Sequence, residues 1–133
     1  MASNQGSFGT VRTGEFALER TDDGLSVLTI SGEHDLSTAP ELRRRLDQLL
    51  DEGTASVIDL SPSTFIDSSI LGVVLDCRRR ASEAGMGFAV LHSNGADAVD
   101  RILEVTGLRN ELPVYARREE AAGAASAAGK PVP

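Results

Sequence analysis

Three consecutive residues, Asp67-Ser68-Ser69, combine a carboxylate with two small hydroxyls. They follow Ser61-Pro62-Ser63-Thr64-Phe65-Ile66 and lead into Ile70-Leu71-Gly72, with the apolar run Val57-Ile58-Asp59-Leu60 just upstream. This order places the hydroxyls where a strand gives way to a helix. A helix start has unpaired backbone N–H groups and the positive end of the helix dipole, so it suits an anion, including a phosphate carried on serine. Ser68 and Ser69 are therefore candidates for a chemical switch. The competing reading is structural: Asp67 or Ser68 caps the helix by accepting from those same N–H groups.

Other chemistries fit less well. Ser, His and Asp all occur, but the G-x-S-x-G pattern of a nucleophile elbow is missing around Ser68 and Ser69. Glu33-His34-Asp35 reads as an exposed loop with a local charge pair rather than as part of a catalytic triad. Cys77 stands among apolar neighbours as a small core residue, and His92 directly follows a strand as a loop contact. No Cys or His pair has metal-ligand spacing, so no metal site is expected. Neither G-x-x-x-x-G-K-[ST] nor G-x-G-x-x-G is present, so no nucleotide cofactor is expected. Arg78-Arg79-Arg80 is either a solvated helix face or a docking patch near a charged partner.

Periodicity supplies the elements that must position these residues. Phe16-Ala17-Leu18-Glu19 and Leu25-Ser26-Val27-Leu28-Thr29-Ile30 flank the turn Thr21-Asp22-Asp23-Gly24 and read as a hairpin. Ser37-Thr38-Ala39-Pro40-Glu41 marks a helix start with a hydroxyl N-cap, and Leu42, Leu46, Leu49 and Leu50 follow at helical spacing until Gly53. Val57-Leu60 is a buried strand, and a second helix spans about Ser68 to Ala84 before Gly85. Phe88-Leu91 is the next strand. A third helix, opened by Asn94 or Ala96-Asp97, carries Val99, Ile102, Leu103 and Val105 and closes at Gly107. Leu112-Pro113-Val114-Tyr115 is a last strand, marked as an edge by Pro113. The order β-β-α-β-α-β-α-β predicts an α/β fold with a mixed, mostly parallel sheet and an antiparallel first strand. The loops Ser31–Leu36 and Ser61–Ser69 then cluster at one end of that sheet.

Composition narrows the partners. The chain has 133 residues, 41% apolar but only 4% aromatic, so its core must be built mainly from Leu, Val, Ile and Ala. The net charge of −7 argues against direct nucleic-acid binding, which needs phosphate neutralisation. No apolar stretch approaches membrane-spanning length, and residues 1–14 lack the basic and apolar regions of a secretory signal, so a cytoplasmic protein without membrane contact is expected. Residues 1–13 read as a disordered lead and 14–115 as the folded domain. Residues 116–133 read as a flexible Ala/Gly-rich tail, with a frayed helix over Arg117–Ala122 that Gly123 ends.

Three motifs in order, Gly32-Glu33-His34-Asp35-Leu36, Val57-Ile58-Asp59-Leu60 and Phe65-Ile66-Asp67-Ser68-Ser69-Ile70-Leu71-Gly72, resemble the STAS family. More narrowly they are similar to the bacterial anti-sigma factor antagonists. The resemblance implies a STAS-like fold with helices packed largely on one side of the sheet, and a regulatory, non-enzymatic role. It implies binding to an anti-sigma factor that is also a serine kinase, release of the sigma factor, and inactivation by phosphorylation at Ser69. A metal-dependent serine phosphatase would restore the active form. Asp35, Asp67, Ser68, Ser69 and Ile70 would then face the partner. Other roles open to this fold are a STAS scaffold or sensor module and a small-ligand or nucleotide-binding STAS protein. Ile70 departs from the family's usual glycine; either it changes the approach of a kinase or it faces the core.

Overall fold

Alternation of apolar side chains along the strands sends one set to each face of the sheet. Leu28, Ile30, Ile58, Phe88 and Val90 face one way, and Leu25, Val27, Val57, Ala89 and Leu91 the other. The computed structural model describes residues 14–93 and 98–128. The elements are β1 (Glu15–Arg20), β2 (Ser26–His34), α1 (Ala39–Glu52), β3 (Ser56–Asp59), β4 (Ser63–Ile66), α2 (Ser68–Glu83), β5 (Phe88–Leu91), α3 (Ala98–Thr106), β6 (Val114–Tyr115) and α4 (Arg118–Ala128). A short 3-10 turn, Leu108–Asn110, follows α3.

The expected hairpin is present: β1 runs antiparallel to β2, with Gly24 at φ 86° in the turn between them. β2, β3, β5 and β6 are parallel neighbours in the order β1-β2-β3-β5-β6. β6 is the edge strand, as Pro113 suggested, although it contains only two residues. Leu112 is instead a buried core residue ahead of it.

Two segments that read as loops are strands. β2 continues through Gly32-Glu33-His34, and Ser63–Ile66 forms β4 alongside that extension, with Glu33 opposite Phe65 and His34 opposite Ile66. The pairing is long-range, so no local apolar period announces it. Ser63 Oγ donates to the Ile30 carbonyl at 2.6 Å, and Gly32 N donates to the Pro62 carbonyl at 3.1 Å, securing the point where β3 hands its place beside β2 to β4.

The larger core lies under α1, α2 and α3, where Leu42, Leu46, Ile70, Leu71, Val74 and Leu103 close over the sheet. The opposite face is covered by α4, whose Ala121 and Ala125 are fully buried against Val27, Val57, Ala89 and Leu91. Here the structure departs from the expected helix end at Gly123, because α4 runs through Gly123 to Ala128. Small side chains on its inner face let the helix approach the sheet closely, and this tertiary packing outweighs the weak propensity of one glycine. The lead at residues 1–13, the expected helix opening at 94–97 and residues 129–133 lie outside the described residues.

Candidate functional site

The site is assembled where β2 and β4 end side by side. Past Ile66, Asp67 takes an extended conformation (φ −106°, ψ −178°) and becomes the N-cap of α2. Its Oδ1 accepts from Ser69 N at 3.0 Å and Ile70 N at 3.2 Å, and the Ser69 hydroxyl donates to the same oxygen at 2.5 Å. Asp67 is thus the cap, and Ser68 is the first helical residue. The helical turn then sorts the next three side chains: Ser68 is exposed, Ser69 is half-buried at the rim, and Ile70 is fully buried. Ile70, expected with the other four residues to face the partner, instead packs in the main core beneath that surface, because the helical turn points it at the sheet. Of the two explanations for its departure from glycine, its placement fits the core-facing one.

Three amides of the first turn are already occupied. Asp67 takes Ser69 N and Ile70 N through its side chain and Leu71 N through its carbonyl at 3.3 Å. A phosphate on Ser69 therefore finds the amides of Ser69, Ile70 and Leu71 already paired. It would have to displace the Asp67 carboxylate or project away from it.

Asp35 stands one residue beyond His34 as Asp67 stands one residue beyond Ile66, so the two carboxylates leave neighbouring parallel strand ends. Asp35 is exposed and its Oδ1 accepts from Ser37 N at 2.9 Å and Ser37 Oγ at 2.6 Å. Those two donors hold its carboxyl below the usual carboxylate range, and nearby His34 adds a smaller effect in the same direction. Thr38 occupies the N-cap position of α1 without a side-chain capping bond. Its hydroxyl serves the loop instead, within 3.1 Å of the Asp35 carbonyl and 3.2 Å of Asp35 N.

His34 is not the exposed loop residue expected from its neighbours; it is 1% exposed. Its ring lies 4.6 Å from that of Phe16, with Nδ1 3.1 Å from Thr38 Oγ1 and Nε2 2.9 Å from the Ser31 carbonyl. Gly14 is required beside it, since a Cβ there would lie 2.2 Å from His34 Nε2. His34 is thus a buried support for the loop that carries Asp35.

Two residues of this surface escaped the sequence reading: Leu36 and Phe65, exposed at 72% and 45%. The available signal was a large apolar residue inside each otherwise polar motif. The arginine cluster lies in the C-terminal half of α2, away from Ser69. Arg79 pairs with Glu111 at 3.2 Å and Arg80 with Asp47 at 2.6 Å. Cys77 is buried, and burial pushes its thiol up to about 12. Among the described residues no group of three His, Cys, Asp or Glu side chains could hold a metal ion, and no helix is long and apolar enough to cross a membrane.

Known proteins share this arrangement of chain. The anti-sigma F factor antagonist of Paenibacillus polymyxa is 31% identical over 94 residues, covering 69% of this chain and 79% of that protein. The anti-sigma-B factor antagonist of Bacillus subtilis is 28% identical over 92 residues, covering 69% and 83%. The crystal structure of an anti-sigma factor antagonist from Mycobacterium paratuberculosis superposes with a TM-score of 0.74 at 29% identity, covering 86% of this chain and 95% of that one. Residues 17–121 match the STAS domain, which takes in every described strand from within β1 onward, both strand ends that carry the site and the start of α4; the chain belongs to the STAS domain family.

Proposed function

We propose that this protein is an anti-sigma factor antagonist, which binds an anti-sigma factor acting as a serine kinase and releases the sigma factor until Ser69 is phosphorylated. The observation that carries the reading is the placement of the Ser69 hydroxyl. It is half-buried at the rim of α2, bonded to Asp67 at 2.5 Å, and lies beside the strand end that leads to Asp35. The names of the relatives support the same role. The partner surface comprises Asp35, Asp67, Ser68 and Ser69, flanked by the exposed apolar side chains of Leu36 and Phe65. Ile70 contributes from below by anchoring the first turn.

Phosphorylation replaces a donated hydrogen bond with repulsion. The Ser69 hydroxyl loses the proton it shares with Asp67 and gains about −1.5 to −2 charge. That charge faces the Asp67 carboxylate and increases the cost of desolvating the surface against a partner. The fold is left intact, because the group is added at the rim rather than in the core. A metal-dependent serine phosphatase would reverse the change.

The test is incubation with candidate anti-sigma kinases and ATP, followed by mass mapping of the phosphate and binding measurements. Phosphate is expected on Ser69 alone. Ser69→Ala should abolish modification and keep binding, whereas Ser69→Asp should bind at least about tenfold more weakly, the scale of one lost charge-assisted contact. Equal binding by Ser69→Asp and the unmodified protein would reject the switch.

A further inference from the structure

The loops at the opposite end of the sheet from Ser69 enclose a cleft of about 370 Å³. Asp23 and Gly24 of the β1–β2 turn, Gly53 after α1, Gly85 after α2 and Ser126 of α4 lie on its wall. Left-handed backbone calls for glycine at three positions on its wall. Gly24, Gly53 and Gly85 have φ of 86°, 71° and 72°, and a Cβ on any of them would meet nothing within 4 Å. The volume lies within the roughly 300–1,000 Å³ range of small-molecule sites.

Three helices end at this cleft. Gly53 is the C-cap of α1, Gly85 follows the C-cap of α2, and Ser126 belongs to the final turn of α4. Each C-terminus carries the negative end of a helix dipole, equivalent to about half an elementary charge. The last turns of α1 and α4 contain no basic residue. Arg80 of α2 is turned to Asp47 at 2.6 Å, and Arg20, at the end of β1, is held by Glu52 at 2.6 Å. Asp23 adds a full negative charge; it accepts from the Thr21 hydroxyl, and no basic side chain among the described residues pairs with it. The cleft is therefore a cavity of small-molecule size whose wall holds one carboxylate and no cationic side chain, while Arg78 lines the adjoining cavity that shares Gly85 and Met86.

We propose that this cleft binds an organic cation through an ammonium or guanidinium group, with Asp23 as the counter-charge. The inference goes beyond the switch at Ser69 and does not rest on it. The cation has two possible sources, a free amine or a basic side chain. Lys130, the single lysine of the chain, stands four positions beyond Ser126 and is one such side chain.

Titration of the ¹⁵N-labelled full chain with spermidine and with N-acetyl-arginine amide tests this, with glutarate as the anionic control. The backbone amides of Gly24, Gly53 and Gly85 are expected to shift saturably with the cations and not with glutarate. Asp23→Asn should weaken binding about tenfold, the worth of one charge-assisted hydrogen bond. Ser126→Arg, which delivers a guanidinium from a half-buried helix position, should remove the response. A Lys130→Gln chain separates the sources: tighter binding than in the parent assigns the parent's cleft to its own lysine, and unchanged binding assigns it to an external cation. Absence of saturable shifts in both the parent and Lys130→Gln, or a response that glutarate reproduces or Asp23→Asn leaves unchanged, overturns the proposal.

Discussion

Asp67 caps α2 and also holds the Ser69 hydroxyl, so one carboxylate couples the stability of the helix to the chemistry of the switch. Asp67→Ala removes the acceptor for two amides and that hydroxyl together. It is expected to lower stability by about 1 kcal/mol, the usual worth of an N-cap, measured as a shift in the urea midpoint. Ile70, next along the helix, contributes through packing alone. Ile70→Ala should cost about 2–5 kcal/mol in the same measurement, because it empties a fully buried position in the main core. The two variants thus separate rim chemistry from core support in adjacent residues. Asp67 was legible in the sequence as a helix start. The burial of Ile70 was one of two open readings, because side-chain direction depends on where the first turn begins.

At the scale of elements, β4 and α4 contribute most to what the sequence left unread. β4 is four residues long and half exposed, and it acquires strand geometry by pairing with the distal half of β2. α4 has an Ala- and Gly-rich sequence with little intrinsic amphipathic pattern, and it is held by burial of Ala121 and Ala125 and by the ion pair of Arg118 with Glu19 at 3.0 Å. Gly123 lies on its exposed side, where a Cβ meets nothing within 4 Å. Gly123→Ala should therefore stabilise the protein by about 0.5–1 kcal/mol, read as a raised melting temperature. A destabilising result would mean that α4 does not stay helical through that residue.

Across the whole molecule, the sheet separates two chemically different ends, and α2 runs between them. Its N-terminus carries Ser69 and its C-terminal side adjoins the cleft at Gly85. The surface ion pairs also have a collective consequence. Hydrogen bonds from arginine lower the carboxyls of Glu41, Glu52 and Asp76 in the folded protein, as those from Ser37 lower Asp35. Such groups stabilise the fold while ionised in both states. That contribution is complete above the ordinary values of 4.5 for Glu and 3.8 for Asp and is lost as pH falls through the lower folded values. Below those ordinary values the unfolded chain binds more protons, so stability is expected to fall as the pH is lowered through the acid range below about 4.5. Circular dichroism of urea unfolding at stepped pH checks the sign; constant stability across that window would show that these pairs are screened out by solvent.

The sequence by itself determined the alternation of strands and helices, the hairpin, a helix start at Asp67 or Ser68 and the candidacy of Ser68 and Ser69. These follow from local properties: apolar period, turn chemistry and capping preference. Only the tertiary structure decided that Gly32–His34 and Ser63–Ile66 are paired strands, that His34 is buried, that Leu36 and Phe65 flank the carboxylates, and that α4 covers the second face. Each of those outcomes depends on contacts between distant segments, whose energy no local pattern records. The Asp67 bonds to Ser69 and Ile70 lie at the boundary between the two: residue type made a cap expected, and the parallel strand ends placed that cap beside Asp35.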